Sequence, residues 1–206
     1  MFLECENVNP DQVDNNHGRT PLGWAAWAGH EGVVKMLLER KDVNPDRADT
    51  LNGRTPLSLA ARDGHEGVVK MLLEQEGVKP NQTDTRNCWT PLLHAVWQRK
   101  DRVVKVLLER EDVNPNHSIY GRSSLWCAAE CGYDELVRML LEREDLDPNQ
   151  ADVANDWTPL LWATFRRNES VVKMLLGRED VNPNYADSMG AKRHSGGPPC
   201  TGTTSL

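Results

Sequence analysis

One short segment returns along almost the whole chain at nearly constant spacing. Val-Asn-Pro, or a close variant, places its proline at positions 10, 45, 80, 115, 148 and 183, with spacings of 35 residues except for one of 33. A period of this size indicates stacked supersecondary units, each of which buries its apolar face against the next. The chain is therefore expected to fold as a repeat array.

Each unit carries the signals of two short helices. Threonine before proline supplies an N-cap oxygen and then a first helical residue with a fixed φ, and these pairs begin at Thr20, Thr55, Thr90 and Thr158. The fourth unit has Ser123-Ser124 instead, so we expect a softer helix start there. Leucine and alanine then recur on one face, and Gly29, Gly64 and Gly132 can end the first helix with a positive φ.

The second helix of each unit has valines and a leucine pair at helical spacing, with an acidic residue four positions before a basic one. This polar side is expected to be a solvated face. The predicted first helices are 20–28, 55–62, 90–97, 123–131 and 158–166, and the predicted second helices are 31–40, 66–75, 101–110, 134–143 and 169–178.

The order Thr-Pro-Leu, paired alanines and a closing leucine pair resembles the ankyrin repeat, in register over roughly residues 2–190. The resemblance implies an all-α fold, an ankyrin-repeat solenoid of about five stacked helix-turn-helix units with finger-like hairpin loops. The fingers are longer than usual, because extra residues lie between Val-Asn-Pro and Thr-Pro-Leu. The Asp-Val-Asn-Pro-Asn spacer is also similar to that of fungal proteins in which many ankyrin repeats accompany an NTPase module, but no nucleotide-binding loop motif occurs here.

Both ends of the chain depart from the repeat. Residues 1–4 align with residues 36–39, in the middle of a second helix, and the residues after position 190 are dominated by glycine, proline, serine and threonine. We therefore expect a truncated repeat end and first finger over 1–17, a repeat domain over 18–190 and a disordered tail over 191–206. This organisation suggests a piece, or a degenerate descendant, of a longer array.

Composition limits the cellular location and the classes of partner that are expected. Five cysteines without a Cys-x-x-Cys pair, and an N-terminus without a secretory signal, predict an intracellular protein, cytoplasmic or nuclear. The net charge of −7 disfavours nucleic acid and anionic lipid, and no apolar run is long enough for a membrane helix.

No pattern of catalytic or cofactor-binding residues stands out. Cys127 and Cys131 are four residues apart, but no histidine lies at ligand spacing, so no metal is expected. His30 and His65 are interpreted as loop hydrogen-bonding residues and not as bases. We predict no catalytic residue, no cofactor and no small-molecule substrate.

The candidate binding residues follow from the resemblance. In ankyrin proteins the residues after the paired alanines, and the finger residue before the N-cap, usually meet a protein partner across the concave face. The first-helix candidates are Trp27, Arg62, Trp97, Glu130 and Phe165, with Arg166 at the following position; the finger candidates are Arg54, Trp89, Arg122 and Trp157. These positions vary between otherwise similar units and carry side chains typical of interface anchors.

Packing remains an alternative role for the tryptophans. Trp24 and Trp162 take the core-facing position of Leu59 and are interpreted as packing residues, whereas binding and packing stay equally open for Trp27, Trp89, Trp97 and Trp157. The sequence favours a non-catalytic protein-binding module whose partner it does not identify. The alternative is a structural spacer within a larger receptor-like or NTPase-coupled protein, and an enzyme is the least favoured.

Overall fold

The computed structural model describes residues 8–184, and this part of the chain forms helix pairs joined by loops. The helices are α1 Pro21–Ala28, α2 Glu31–Leu38, α3 Pro56–Asp63, α4 Glu66–Leu73, α5 Pro91–Trp97, α6 Asp101–Leu108, α7 Ser124–Cys131, α8 Asp134–Leu141, α9 Pro159–Phe165 and α10 Glu169–Leu176. Within residues 8–184 the only β pairing is an isolated bridge between Ile119 and Arg122. The all-α fold class is confirmed, and each second helix ends two residues earlier than predicted.

Side-chain caps start the first helices, as the sequence predicted. The hydroxyls of Thr20 and Thr55 accept the amides of Gly23 and Ser58 at 3.0 and 3.2 Å. Ser123 accepts the amide of Trp126 at 3.2 Å. The serine cap bond is thus as short as that of Thr55, and the softer start of α7 stays a prediction.

Left-handed residues end the first helices. Gly29, Gly64 and Gly132 have φ of 71°, 90° and 68°, whereas Arg99 and Arg167 hold the corresponding turns with φ of 51° and 60°. Glycine adopts this conformation without steric cost, but a side chain does not. Two of these five turns are therefore strained.

The chain divides into two compact units between Pro91 and Leu92. In the first unit α1 packs on α3, and α2 packs on α4; in the second α7 packs on α9, and α8 packs between α6 and α10. Leu57 and Leu72 are fully buried in the first unit, as are Leu107, Leu140 and Leu175 in the second. Each apolar stripe thus has a neighbouring helix pair as its partner.

An aspartate organises each long finger. In one of them the amide of Asp49 donates to the carbonyl of Arg54, while its carboxylate accepts the amides of Asn52 and Arg54. The fourth finger is two residues shorter and is closed by Ile119 and Arg122, with Tyr120 and Gly121 both at positive φ. Two consecutive positive φ values are the requirement of a type I′ hairpin turn.

An amide ladder joins the bases of successive fingers in the second unit. Asn116 donates to the carbonyl of Asp145 at 2.6 Å and accepts the amide of Asp147 at 2.7 Å. Asn149 makes the same pair of bonds to Asp180 and Asn182. Asn116 and Asn149, each directly after a Val-Asn-Pro or Leu-Asp-Pro segment, therefore satisfy backbone groups of the next repeat.

Two predictions concern segments beyond this region. The disordered tail over 191–206 lies outside the described residues, and so does most of the truncated repeat end, at 1–7. Among the described helices, none is long and apolar enough to cross a membrane.

Candidate functional site

A tryptophan pair marks the surface of the first unit. The rings of Trp24 and Trp27 meet edge to face with centroids 5.4 Å apart, and the guanidinium of Arg19 lies 4.7 Å from the Trp24 centroid. The Trp24 indole donates to Asp14, whose carboxyl pKa is held well below its ordinary value, chiefly by the backbone amide of His17. Trp27, with 38% of its surface exposed, remains available to a partner.

The two arginine candidates of the first unit are engaged internally. Arg54 is buried and donates through Nε to Asp84 of the next finger at 3.5 Å, in the way that Arg19 reaches Asp49 at 3.4 Å. Arg62 is half-buried and pairs with Asp63 at 2.8 Å. Arg54 thus joins two fingers, and Arg62 pairs with its neighbour on the same helix.

A larger group lies in the second unit and is named here the aromatic cluster: Trp126, Trp157, Trp162 and Phe165. Trp157 contacts Trp162 and Phe165 edge to face at 5.0 and 5.2 Å, and Trp126 meets Trp162 at 5.6 Å. Trp126 and Trp162 are buried, Trp157 is half-buried, and Phe165 is 54% exposed. The cluster therefore has a buried base and an exposed edge.

Two arginines flank the aromatic cluster. Arg122 is exposed, and its guanidinium lies 4.8 Å from the Trp126 centroid. No carboxylate among residues 8–184 pairs with it. Arg166 lies 5.8 and 5.9 Å from the Trp162 and Phe165 centroids and bonds to Glu130 at 2.6 Å. Glu130 itself is only 7% exposed, so this candidate acts by holding Arg166.

The remaining candidates lie between core and surface. Trp89 and Trp97 are both half-buried, the first in the finger before α5 and the second at the end of α5. Such burial leaves part of each ring accessible, so it is compatible with a role in packing and with a role in binding.

Two reactive side chains of the described region have structural surroundings. Burial raises the pKa of the Cys127 thiol to about 12, which makes it a poor nucleophile. The Nε2 of His65 donates to the carbonyl of Trp27 at 2.9 Å, a structural bond of the kind expected for this loop. In residues 8–184 no three histidine, cysteine, aspartate or glutamate side chains converge as metal ligands would.

Sequence reasoning did not single out Trp126. It takes the place of Gly23, Ser58 and Leu93 in other units, so its position alone indicated no role. Its indole Nε1 is buried without a hydrogen-bond partner, and its ring forms the base of the aromatic cluster against Trp162. The contact joins residues 36 positions apart in sequence, beyond what helical periodicity can indicate.

Comparison with known families agrees with this architecture. A family model described as ankyrin repeats (3 copies) matches residues 41–118 and 92–187, and a model of the single ankyrin repeat matches residues 17–50. Together these matches extend from residue 17 to residue 187. No curated protein matches the chain.

Proposed function

Because this chain belongs to the ankyrin-repeat family, whose repeats are generally protein-interaction modules, we propose that it is a non-catalytic module that binds a protein partner through its first helices and fingers. A repeat fold supplies a surface and does not by itself name a ligand. The proposal therefore depends on which residues that surface presents.

The aromatic cluster is the observation that supports this function most directly. Phe165 exposes more than half of its surface next to the half-buried Trp157, and the exposed Arg122 has no carboxylate partner among the described residues. Large aromatic and arginine side chains are the residues that contribute most at protein interfaces. A surface with a buried aromatic base, an exposed edge and flanking guanidinium groups fits a protein ligand.

The other classes of ligand have less support. A net charge of −7 repels nucleic acid and anionic lipid over the chain as a whole. We propose that the protein acts inside the cell, as ankyrin-repeat proteins commonly do. A role as a structural spacer in a longer repeat protein is the alternative.

Affinity capture with three baits tests the proposal. The baits are the wild-type chain, the Arg122→Ala/Phe165→Ala variant, and a control variant, Lys173→Ala, altered at an exposed residue on α10. Circular dichroism first establishes that all three fold alike. We expect a partner that the wild type and the control retain and that the double variant loses, and we expect purified components to reproduce the difference.

The spacer alternative gives a different result. If the three baits capture the same proteins to the same extent, the aromatic cluster is not a recognition site. The protein-binding assignment at this surface would then be withdrawn.

A further inference from the structure

An arginine of the second unit sits in a complete hydrogen-bonding site made by the preceding repeat. Arg143 donates through Nη1 to the carbonyls of Leu108 and Arg110 at 2.9 and 2.7 Å, and through Nη2 to Val113 at 3.1 Å. Asp145 accepts from its Nε and Nη2, both at 2.8 Å. All five N–H groups of the guanidinium thus have acceptors.

The next repeat uses the same device. Arg178 donates through Nη1 to the carbonyls of Leu141 and Arg143 at 2.9 and 3.2 Å, and it is held by Asp180 at 2.8 and 2.6 Å. In both repeats, carbonyls after the second helix of one repeat bind an arginine that follows the second helix of the next. A helix leaves its last carbonyls unsatisfied, and in this way the carbonyls of Leu108 and Leu141 gain a donor; the carbonyl of Arg110 also accepts the amide of Val113 at 3.4 Å.

The first unit has the acceptors of this site but not the arginine. The corresponding position holds Gln75, and Gly77 replaces the aspartate. The Gln75 side chain turns back to the carbonyl of Met71 at 3.4 Å. Among residues 8–184, nothing donates to the carbonyls of Leu38, Arg40 or Val43, the counterparts of the three acceptors of Arg143.

A cavity occupies the place of the missing side chain. Its lining includes Leu38, Arg40, Val43 and Gln75, and it joins the groove between α2 and α4, where Leu38 and Met71 supply an apolar wall. In the second unit Arg143 itself lines the equivalent groove. The cavity therefore has an apolar approach for a side-chain stem and a polar end for its head group.

The charges around the cavity favour a cation. Glu39, Glu74 and Glu76 line it, against the basic side chains of Arg40 and Lys41. Arg40 is already held by Asp42 at 2.7 Å. Three carboxylates against one uncommitted ammonium group attract a positive ligand, and a planar guanidinium matches the fork of carbonyl acceptors better than an ammonium does.

We propose that this vacancy between α2 and α4 is a binding pocket for an arginine side chain of a partner protein. The bound guanidinium would donate to the carbonyls of Leu38, Arg40 and Val43, as Arg143 does in the second unit. The pocket lies on the second helices, and it is independent of the aromatic cluster and of the function proposed for that cluster.

The test is a titration of the full chain, followed by NMR, with N-acetyl-arginine-methylamide and with the matching lysine derivative. We expect saturable shifts confined to residues 38–43 and 74–77, with a dissociation constant on the order of 1–10 mM for so small a probe. The lysine derivative should bind at least about fivefold more weakly, since its compact ammonium does not span the carbonyl acceptors as a planar guanidinium does.

Two variants fix the location of the site. In Gln75→Arg the chain fills its own vacancy, so the shifts should vanish; Gly77 is left unchanged because its φ of 85° would strain a side chain. In Arg143→Gln/Asp145→Gly a second vacancy opens, and new saturable shifts should appear near residues 108–113. The exposed control Lys173→Gln should bind as the wild type does.

Three results would overturn the inference: no saturable shift in the wild type, equal binding of the two derivatives, or unchanged binding by the Gln75→Arg variant. The second result would indicate simple charge attraction. A thermal midpoint of Gln75→Arg at or above that of the wild type shows that loss of its binding is not due to unfolding.

Discussion

The indole Nε1 of Trp162 donates a 2.6 Å hydrogen bond to Oδ2 of Asp152, a finger residue that is 1% exposed. In the first unit Leu59 corresponds to Trp162, and the Oδ2 of Asp49 accepts the Nε of Arg19, 30 residues earlier, at 3.4 Å. Arg122 stands 30 residues before Asp152, but there the Oδ2 accepts the indole, and Arg122 lies exposed over Trp126.

Replacing Trp162 by phenylalanine should lower the free energy of unfolding by roughly 1.5–3 kcal/mol, because Asp152 Oδ2 is left buried without its donor. The matched change Trp24→Phe should cost less, since Asp14 Oδ2 keeps the amide of Arg19 at 2.9 Å. Chemical denaturation of both variants in an Arg122→Ala background keeps that arginine from taking the vacated oxygen. Equal costs would show that the indole bond contributes nothing specific.

Asp46 occupies the amide-ladder position that Asn116 and Asn149 fill in the second unit. Its Oδ1 is buried without a partner, and burial is the main cause that raises its pKa, against a bond from the backbone of Lys79. An asparagine at position 46 could also donate to the carbonyl of Gly77, 31 residues later. Asn149 donates in this way to the carbonyl of Asp180, which is also 31 residues later. Asp46→Asn should therefore stabilise the protein by about 1 kcal/mol at pH 7.

The pH dependence of the Asp46→Asn gain has a definite sign. A carboxyl group whose folded pKa is raised is favourable to folding while protonated, and it loses that contribution as pH rises from the unfolded value, about 3.9, through the raised value. The advantage of asparagine should thus be full at neutral pH and shrink toward pH 4. Denaturation at several pH values measures it, with Glu179→Gln as the exposed control; a gain that grows on acidification would contradict the assignment.

Arg167 ends α9 with a φ of 60°, where three other first helices use glycine. Arg167→Gly should raise the free energy of unfolding by about 0.5–1 kcal/mol, because relief of the left-handed strain exceeds the added entropy of glycine in the unfolded chain. Arg99→Gly should gain less, since Arg99 also lies 5.3 Å from the Tyr133 ring. Gly132→Ala is the reverse control and should destabilise. Thermal melts of the three variants check the order.

Trp97 is half-buried at the end of α5, and its substitution can distinguish a role in binding from a role in packing. If it meets the partner, Trp97→Ala should weaken binding by roughly 2 kcal/mol or more, as a central aromatic anchor does. Leu107 is fully buried, so Leu107→Ala should cost about 2–5 kcal/mol of stability. Lys105→Ala, at an exposed site on α6, should change either quantity by less than about 0.5 kcal/mol.

The Trp97 experiment pairs a titration of the captured partner with denaturant melts. Unchanged affinity, together with a loss of stability as large as that of Leu107→Ala, would assign Trp97 to the core. The recognition surface would then be restricted to the exposed aromatic and arginine residues.

Much of the fold was predictable because its determinants are local. Thr55 and Pro56 start a helix through an N-cap hydroxyl and a fixed φ, and Gly64 ends it by adopting a positive φ. The buried leucines recur at the same step as these signals. Each of these effects acts within a few residues, so the period and the helix bounds could be predicted from the sequence.

The roles of the candidate residues depended on contacts about 30 residues away. Arg54 and Arg122 hold the same position in their units, yet Arg54 is buried against Asp84 while Arg122 is exposed. The sequence determined that both lie next to a helix start. Only the tertiary structure decided which of them pairs with the carboxylate of the next finger, because that depends on the side chains that the repeats bring beside it. The carboxylate of Asp84 accepts Arg54, whereas that of Asp152 accepts the Trp162 indole.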